Sequence, residues 1–241
     1  MAAFTGQVAV VTGASSGIGK AIALGLAAQG ATLCLVGRNP ETLEAIAGSA
    51  GKTATRILHY RVDLTINEDI LELAAHVQRD FGSTDILVHS AGVISLGPME
   101  TAPVETLDWQ YRTNLRAPYS LTRALLPTIR VRRGQVVFIN SSVALNARAN
   151  VGQYAATKHA LKALADSLRD EVNIDGVRVL SVFLGRTATP MQAAVHDMEG
   201  KEYRPERLLL TEDVASVVIN ALSLPRTAEV TDIYIRPLVK P

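Results

Sequence analysis

The chain of 241 residues has one cysteine, few aromatic residues and almost no net charge. The single cysteine, Cys34, excludes an internal disulfide and a cysteine-rich metal site, and its apolar neighbours predict that it is buried. Aromatic residues make up 5% of the chain, which favours helices packed closely on a sheet over a β-sandwich. A net charge of +1 provides no long-range field, so we expect neither nucleic acid nor a membrane as a partner.

Long apolar runs are also missing from the sequence. No uninterrupted stretch approaches the roughly 18 apolar residues that indicate a membrane-spanning helix. The first residues, MAAFTGQVAVV, lack the basic region and long apolar core of a signal peptide. We therefore expect a cytoplasmic protein.

The histidines show neither paired spacing nor convergent carboxylates, so no metal site is expected. His196 lies in a polar segment and is expected to be exposed to solvent. For His89, which ends an apolar run, we expect a structural role rather than a catalytic one.

The sequence does contain short apolar runs that alternate with helical patterns. Seven runs are predicted as strands: Val8–Thr12, Thr32–Gly37, Ile57–Asp63, Ile86–Ser90, Gln135–Asn140, Val177–Leu184 and Asp232–Ile235. Six segments are predicted as helices: 18–29, 40–49, 67–81, 104–129, 153–174 and 211–223. Most runs are apolar on both faces, as strands are when helices cover a parallel sheet on each side. The alternation predicts an α/β fold with a doubly wound parallel sheet of about seven strands.

No repeat, linker or low-complexity tract divides the sequence, so residues 1–241 are predicted to form a single domain. The least patterned segment is 191–207, which reads MQAAVHDMEGKEYRPER. Because it is polar and mixed in charge, we expect a flexible lid over a binding site.

The stretch VTGASSGIGK, residues 11–20, joins the first predicted strand to the first predicted helix. Its glycines, Gly13, Gly17 and Gly19, let the backbone approach a ligand without an intervening Cβ. The start of the helix adds unpaired N–H groups and a partial positive charge. Together these features predict a pyrophosphate site, although the spacing is neither the common G-x-G-x-x-G fingerprint nor a Walker A motif.

Further motifs follow in order along the chain. They are His89-Ser-Ala-Gly92, Thr113-Asn-Leu-Arg116, Ser141 after the fifth strand, Tyr154-Ala-Ala-Thr-Lys158 and Leu184-Gly-Arg-Thr-Ala-Thr189. With the glycine turn, they resemble the short-chain dehydrogenase/reductase family over residues 8–191. The resemblance implies a Rossmann-type fold and hydride transfer between a nicotinamide cofactor and a ketone, aldehyde or alcohol.

Tyr154 and Lys158 lie four residues apart on a predicted helix and therefore share a face. The lysine charge is expected to lower the pKa of the Tyr154 phenol. A lower pKa makes the tyrosine a better acid–base catalyst near neutral pH. The resemblance implies that Tyr154 is this catalyst and that Lys158 also holds the nicotinamide ribose. It further implies that Asn114 binds a water that completes a proton relay to Lys158. From its position in a predicted helix alone, Asn114 also fits a local helix irregularity.

Two adjacent serines, Ser141 and Ser142, are candidates to polarise the substrate oxygen. Family members usually place the catalytic serine 13 residues before the tyrosine, which selects Ser141. Ser142 stays an alternative, and either serine could instead cap a turn.

The end of the second strand bears on the choice of cofactor. NAD-preferring relatives usually have an acidic residue there, whereas this chain has Gly37 followed by Arg38. No carboxylate repels a 2′-phosphate, and a guanidinium can bind it, so NADP(H) is predicted. Some NADP-preferring relatives carry a second basic residue where this chain has Ser16, and Arg38 could also be an ordinary surface residue.

The resemblance implies a set of cofactor-binding residues along the whole chain. They are Gly13, Ser15, Ser16, Gly17, Ile18, Gly19, Arg38, Asp63, Leu64, Ala91, Gly92, Asn114, Tyr154, Lys158, Gly185, Thr187 and Thr189. Asp63 matches the position that binds the adenine amino group, and Thr187 and Thr189 match positions near the nicotinamide carboxamide and phosphate.

Two positions depart from the family pattern. His89-Ser90 replaces a usual pair of asparagines that help to tie strands together, so we expect an effect on local stability. Leu184 replaces a usual proline before Gly185, so the loop under the nicotinamide is expected to be less stiff.

The expected function is NADP(H)-dependent carbonyl reduction or alcohol oxidation on a small-molecule substrate, with a 3-oxoacyl-carrier-protein reductase as an alternative. A basic cluster, Arg130, Arg132 and Arg133, could meet an acidic carrier, but carrier-linked relatives often also have a basic residue where this chain has Asp175. The cluster also fits a solvated helix end. A non-catalytic NADP-binding sensor or scaffold is a further alternative.

Assembly into a homodimer or homotetramer is expected from the same resemblance. Family members usually pair the helices that correspond to 104–129 and 153–174. The second of these contains alanines that permit close packing of helices: Ala155, Ala156, Ala160, Ala163 and Ala165.

Overall fold

Seven strands form one fully parallel sheet in the computed structural model, which describes residues 2–51, 54 and 56–239. The strands are β1 (Val8–Thr12), β2 (Thr32–Gly37), β3 (Ile57–Arg61), β4 (Ile86–His89), β5 (Gln135–Ser141), β6 (Arg178–Leu184) and β7 (Asp232–Ile235). Their order across the sheet is β3-β2-β1-β4-β5-β6-β7. The predicted doubly wound α/β fold is confirmed.

Within the described residues, eight α-helices accompany these strands. They are α1 (Gly17–Ala28), α2 (Pro40–Ala50), α3 (Asn67–Phe81), α4 (Val104–Tyr111), α5 (Ala117–Val131), α6 (Gly152–Val172), α7 (Pro190–Met198) and α8 (Thr211–Leu222). Helices α1, α2 and α8 pack on one face of the sheet, and α3, α5 and α6 pack on the other. None of the helices within the described ranges is both long enough and apolar enough to cross a membrane.

The central strands are apolar on both faces because both faces are covered. Along β1, Ala9 and Val11 join the core on the α1 side, whereas Val10 joins the core on the α3 side. Successive side chains of a strand point to opposite faces, so each face of β1 needs its own apolar residues. Cys34 follows the same rule on β2 and is buried, as predicted.

The strand order reverses between β1 and β4. Chain connections leave β1 in one direction along the sheet and leave β4 in the other, which opens a crevice at the carboxyl ends of these two strands. In an open α/β sheet this crevice is where ligands bind. The fold therefore brings the glycine turn after β1 and the segment after β4 to the same place.

The predicted helix over 104–129 is interrupted. A π-helical segment, Arg112–Arg116, separates α4 from α5. The side chain of Asn114 in this segment bonds to both backbone groups of Val93, at 2.8 Å to the nitrogen and 2.9 Å to the oxygen. The helix irregularity that asparagine indicated is therefore present, and its extra residue is anchored by tertiary hydrogen bonds.

The segment predicted as an unpatterned lid contains a helix that the sequence reading missed. Thr189 accepts a hydrogen bond from the backbone nitrogen of Gln192 and caps α7, and Pro190 occupies the first helical position. His196 on this helix is buried rather than exposed, so the expectation for it was wrong. It lies within 2.7 Å of the Gln192 oxygen and packs edge-on against Tyr203.

Candidate active site

Two adjoining clefts open at the carboxyl edge of the sheet. The first, of about 200 Å³, runs from the glycine turn to the ends of β2 and β4. The second, of about 510 Å³, reaches the end of β5 and the start of α6. Five residues line both: Ile18, Ser90, Gly92, Thr189 and Met191. A ligand that fills the first cleft can therefore extend directly into the second.

Most residues predicted to bind a cofactor lie in these clefts. The first cleft is lined by Gly13, Ser15, Ser16, Gly17, Ile18, Gly19, Arg38, Asp63, Leu64, Ala91, Gly92 and Thr189. The second is lined by Ser141, Tyr154, Lys158, Gly185 and Thr187, and also by the alternative serine, Ser142. Asn114 alone of the predicted set lines neither.

Two glycines of the turn after β1 are required for a reason that the sequence did not reveal. A Cβ on Gly13 would lie 2.7 Å from the Ala91 nitrogen, and one on Gly19 would lie 2.3 Å from the Gly13 oxygen. Both distances are shorter than any tolerable contact. These two glycines are needed because other parts of the chain's own backbone occupy the space, in addition to any ligand.

Replacing Gly19 with alanine is therefore expected to destabilise the protein. The new methyl group meets a backbone carbonyl that cannot rotate away, so the free energy of unfolding should fall by about 1–3 kcal/mol. Gly48→Ala in α2 is the matched control, because a Cβ there meets nothing within 4 Å. Alanine should stabilise that helix by up to about 1 kcal/mol. Urea unfolding measures both, and equal stability of the two variants would contradict the packing argument.

The N-terminus of α1 can bind an anion. Ser16 stands at the N-cap position, yet its side chain makes no capping hydrogen bond, and no acidic residue occupies the first turn. The first N–H groups of the helix therefore keep their partial positive charge beside the first cleft. This donor set fits the pyrophosphate of a dinucleotide.

The far end of the first cleft carries opposite charges. Arg38 is exposed directly after β2. Across from it, Asp63 accepts hydrogen bonds from the hydroxyl and the backbone nitrogen of Thr65, at 2.7 and 2.9 Å. These hydrogen bonds, with a smaller contribution from the Arg38 charge, hold the pKa of Asp63 below its usual value. The cleft therefore offers a guanidinium for a phosphate and a carboxylate for an amino group.

Ser141 and Tyr154 meet in the second cleft. Ser141 ends β5, Tyr154 lies in the first turn of α6, and their hydroxyl groups are hydrogen-bonded. Partial burial raises the pKa of Tyr154 to about 12, and the bond to Ser141 only partly offsets this rise. The expectation that Lys158 lowers the pKa of Tyr154 was therefore wrong for the protein without a ligand.

Lys158 lies one helical turn beyond Tyr154. Its ammonium group donates to the Ile139 oxygen at 3.1 Å and stands 5.8 Å from the centre of the Tyr154 ring. Burial lowers the pKa of Lys158 to about 8, because water no longer solvates the charge. Near neutral pH, Tyr154 is a neutral phenol beside a lysine that titrates easily.

Asn114 is close to Lys158 but its side chain is held by the protein. Besides its two bonds to Val93, the amide nitrogen donates to the Thr157 hydroxyl at 3.2 Å. A Cβ on Gly92 would lie 3.5 Å from the Asn114 side-chain oxygen and 4.0 Å from the Lys158 nitrogen. Asn114 therefore fixes the turn after β4 against α6.

The loop after β6 is tightly packed, although Leu184 stands where a stiffening proline is usual. The ladder with β7 continues through Leu184, and the Gly185 nitrogen donates to the Ile235 oxygen at 2.8 Å. A Cβ on Gly185 would lie 2.9 Å from the Cδ of Pro237. Thr187 donates to the Gly185 oxygen at 3.1 Å. These contacts hold the loop where the usual proline is absent.

His89 has a structural role. Its ring stacks on Phe138, with centroids 5.0 Å apart, and its Nε2 lies 2.8 Å from the Thr122 hydroxyl. Complete burial lowers its pKa to about 3, so the ring is neutral. His89 thus ties β4 to β5 and α5.

Three arginines in the second cleft were missed by the sequence reading: Arg148, Arg186 and Arg236. Arg236 directly follows β7, and residues at the carboxyl ends of parallel strands face the ligand crevice. The position of Arg236 at the end of a predicted strand could therefore have identified it from the sequence. Within the described residues, no group of three or more histidine, cysteine, aspartate or glutamate side chains is placed to hold a metal ion.

Comparison with known proteins agrees with this geometry. Residues 7–200 match the family model described as short chain dehydrogenase. An uncharacterized oxidoreductase of Staphylococcus epidermidis is 34% identical over 99% of this chain and 100% of its own length. An alcohol dehydrogenase of Thermococcus sibiricus, complexed with 5-hydroxy-NADP, superposes with a TM-score of 0.89 at 27% identity, covering 98% of both chains. A metagenomic short-chain oxidoreductase in complex with NADP superposes with a TM-score of 0.85 at 30% identity, covering 98% of this chain and all of the other chain.

Proposed function

Since the chain belongs to the short-chain dehydrogenase family of oxidoreductases, we propose that it uses NADP(H) to interconvert a ketone or aldehyde and the corresponding alcohol. The observation that carries this proposal is the hydrogen-bonded pair of Ser141 and Tyr154, with Lys158 one turn away, where the two clefts join. A proton donor and a polar group stand where a bound cofactor and a substrate would meet.

The first cleft offers a group for the pyrophosphate and for each part of the adenosine end of the cofactor. The uncapped start of α1 suits the pyrophosphate, and Asp63 suits the adenine amino group. Arg38 suits a 2′-phosphate, and Gly37 leaves no carboxylate to repel it. The NADP complexes of the two similar structures support the same choice. Bound NADPH supplies the hydride for the carbonyl carbon.

Tyr154 donates the proton in the reducing direction. Its pKa of about 12 keeps it protonated at neutral pH, and the oxygen of a reduced carbonyl is a stronger base than a phenolate. Ser141 holds the substrate oxygen by a hydrogen bond that strengthens as negative charge develops. Lys158, with a pKa of about 8, can return a proton to Tyr154 and orient the nicotinamide ribose. The water relay through Asn114 stays a prediction.

Ser141→Ala is expected to lower kcat for carbonyl reduction by about 10²- to 10³-fold, because a positioned donor to the developing oxyanion is lost. Ser142→Ala is the matched control, since Ser142 lines the same cleft but begins a 3₁₀ turn. It should change kcat by less than about threefold. Steady-state kinetics of both variants decide between the adjacent serines, and the opposite ranking would make Ser142 the catalytic residue.

The basic cluster gives little support to a carrier-protein substrate. Arg130 pairs with Asp175 at 2.9 Å, and Arg132 pairs with Asp85 at 2.8 Å. These ion pairs neutralise two of the three charges that an acidic carrier would meet. A non-catalytic sensor is disfavoured because such a protein has no need of a paired serine, tyrosine and lysine.

We extend the proposal to the assembly and location of the protein. A single domain, a homodimer or homotetramer and a cytoplasmic location are proposed. Apolar residues are exposed along α4 and α5, which supports an interface there: Val104, Leu107, Trp109, Tyr111 and Tyr119. On α6, Ala156 and Ala163 are exposed, whereas Ala155 and Ala165 are buried against the sheet. Helix α7 and the segment to residue 207 are proposed to form the movable wall of the second cleft.

The test is consumption of NADPH, followed by its absorbance, with a panel of small ketones, aldehydes, diketones and oxo acids. Turnover with NADPH that far exceeds turnover with NADH is the expected result. Tight NADPH binding without turnover of any carbonyl compound would contradict the proposal and favour the sensor.

A further inference from the structure

We infer that the substrate carries a carboxylate, and that Arg148 and Arg236 bind it on the wall of the second cleft. This inference rests on the proposed carbonyl chemistry and specifies its substrate as a short oxo acid or hydroxy acid.

The charged side chains that line the second cleft are strongly unbalanced. Four are cationic and one is anionic: Arg148, Lys158, Arg186 and Arg236 against Glu199. Glu199 is already engaged, because Arg186 binds both its oxygens at 2.7 Å and Lys201 approaches to 2.9 Å. The cleft wall therefore has positive charge that its one carboxylate does not neutralise.

Arg148 and Arg236 have no such partner. Across residues 2–51, 54 and 56–239, no hydrogen bond or ion pair engages either guanidinium group, and both side chains are exposed to solvent in the cleft. Arg186, by contrast, is fixed in a two-point ion pair. An arginine presents a rigid fork of donors that matches a carboxylate. The two free guanidinium groups provide a binding site for such an anion.

The sheet register places Arg236 near the reacting groups. Ser141 pairs with Leu184, Leu184 pairs with Ile235, and Arg236 is the next residue. Adjacent strands are about 4.8 Å apart, so the Cα atoms of Ser141 and Ile235 are separated by about 10 Å. An arginine side chain that turns along this edge brings its guanidinium close to a substrate held by Ser141.

Arg148 lines the same cleft from a different part of the chain. It lies in the connection between the 3₁₀ turn Ser142–Ala144 and α6, six residues before Tyr154. The two arginines therefore line the same cleft as the Ser141 and Tyr154 hydroxyls. A carboxylate a few bonds from the reacting carbonyl can reach them.

Apolar side chains form a further part of the second cleft. Its wall includes Ile94, Leu96, Val143, Val151 and Val195. These side chains favour a substrate with a short hydrocarbon segment between or beside its carbonyl and its carboxylate. The combined chemistry is that of an oxo acid with a small aliphatic part.

Comparing an oxo acid with its methyl ester separates the effect of the substrate's charge from the effect of its shape. We expect the enzyme with NADPH to reduce sodium 4-oxopentanoate or 3-oxobutanoate with a kcat/KM at least about tenfold above that for the methyl ester of the same acid. Raising the ionic strength should shrink this preference, because both arginines are exposed. A phosphorylated ketone beside its unphosphorylated form distinguishes phosphate from carboxylate, and a phosphate-only preference would overturn the carboxylate assignment.

Charge-removing variants test the two residues. Arg148→Gln and Arg236→Gln should each lower kcat/KM for the carboxylate by about tenfold or more, mainly through KM, and change that for the ester by less than about threefold. Arg123→Gln, an exposed arginine of α5 outside both clefts, is the control and should change neither. Equal effects on acid and ester would reduce the arginines to a structural role and overturn the inference.

The outcomes separate the inference from the proposed function. If esters and neutral ketones are reduced as well as the acids are, the carboxylate site is wrong and the carbonyl reductase stands. If no carbonyl compound of the whole panel is reduced although NADPH binds, the proposed function fails, and the inference fails with it.

Discussion

Replacing Tyr154 with phenylalanine is expected to lower kcat/KM for carbonyl reduction by about 10²- to 10⁴-fold, the range associated with loss of a general acid. Phenylalanine keeps the ring and its packing but removes the proton that the substrate oxygen must receive. The serine hydroxyls in the same cleft, Ser141 and Ser142, are poor substitutes because an aliphatic alcohol is a much weaker acid than a phenol. The affinity for NADPH should stay within about threefold, since most of the first cleft is untouched.

Two measurements make this expectation specific. Fluorescence titration with NADPH separates cofactor binding from chemistry, and Tyr119→Phe provides a control tyrosine that is exposed on α5. The control should retain full activity. If Tyr154→Phe kept more than about a tenth of the wild-type kcat/KM, a different group would have to supply the proton.

The second large effect concerns the choice of cofactor. Arg38→Gln is expected to weaken NADPH binding by about tenfold to 100-fold and to leave NADH binding nearly unchanged, because hydrogen bonds from a charged donor to the phosphate are lost. Adding Gly37→Asp should reverse the preference towards NADH. The atoms nearest to a Cβ at position 37 belong to the side chains of Leu43, at 3.3 Å, and Ser15, at 3.4 Å, so a small shift of these side chains accommodates it.

Arg61 offers a matched control for this experiment. It pairs with Gly37 across the β2–β3 register and is also exposed, yet it does not line the first cleft. Arg61→Gln should therefore leave both dissociation constants within about threefold. If Arg61→Gln instead reproduced the loss of NADPH affinity, the phosphate would be bound from β3 and not from Arg38.

The sequence predicted the strands better than it predicted the helices. All seven strands are present, with ends that differ by at most two residues, and most of them are apolar runs of the kind expected in a sheet covered on both faces. Helix α7 was missed because its polar composition resembles a loop, and only the Thr189-Pro190 pair indicates a helix start. Asn114 indicated an irregularity in the helix, but the sequence did not show a break there, because the stabilising contact of Asn114 with Val93 joins residues that are 21 apart in sequence.

The candidate site residues that belong to a sequence motif lie together in the structure, and their roles stay predictions. The glycine turn, Ser141, Tyr154 and Lys158 converge on two clefts that share a boundary. The pKa of Tyr154 was predicted in the wrong direction because spacing on a helix says nothing about desolvation, which dominates here. The charge of Arg148 and Arg236 was overlooked because a sequence does not show which cations remain without a partner.

The strand order also has a consequence for synthesis on the ribosome. β1 emerges first and soon finds β2, but its other neighbour, β4, begins only at Ile86. Until then one edge of β1, the uncharged stretch VAVVT, has no partner. Such an edge can pair with another nascent chain, so the first part of the protein is the stage most exposed to aggregation. A chaperone that shields the chain until β4 has emerged would therefore raise the yield of folded protein most.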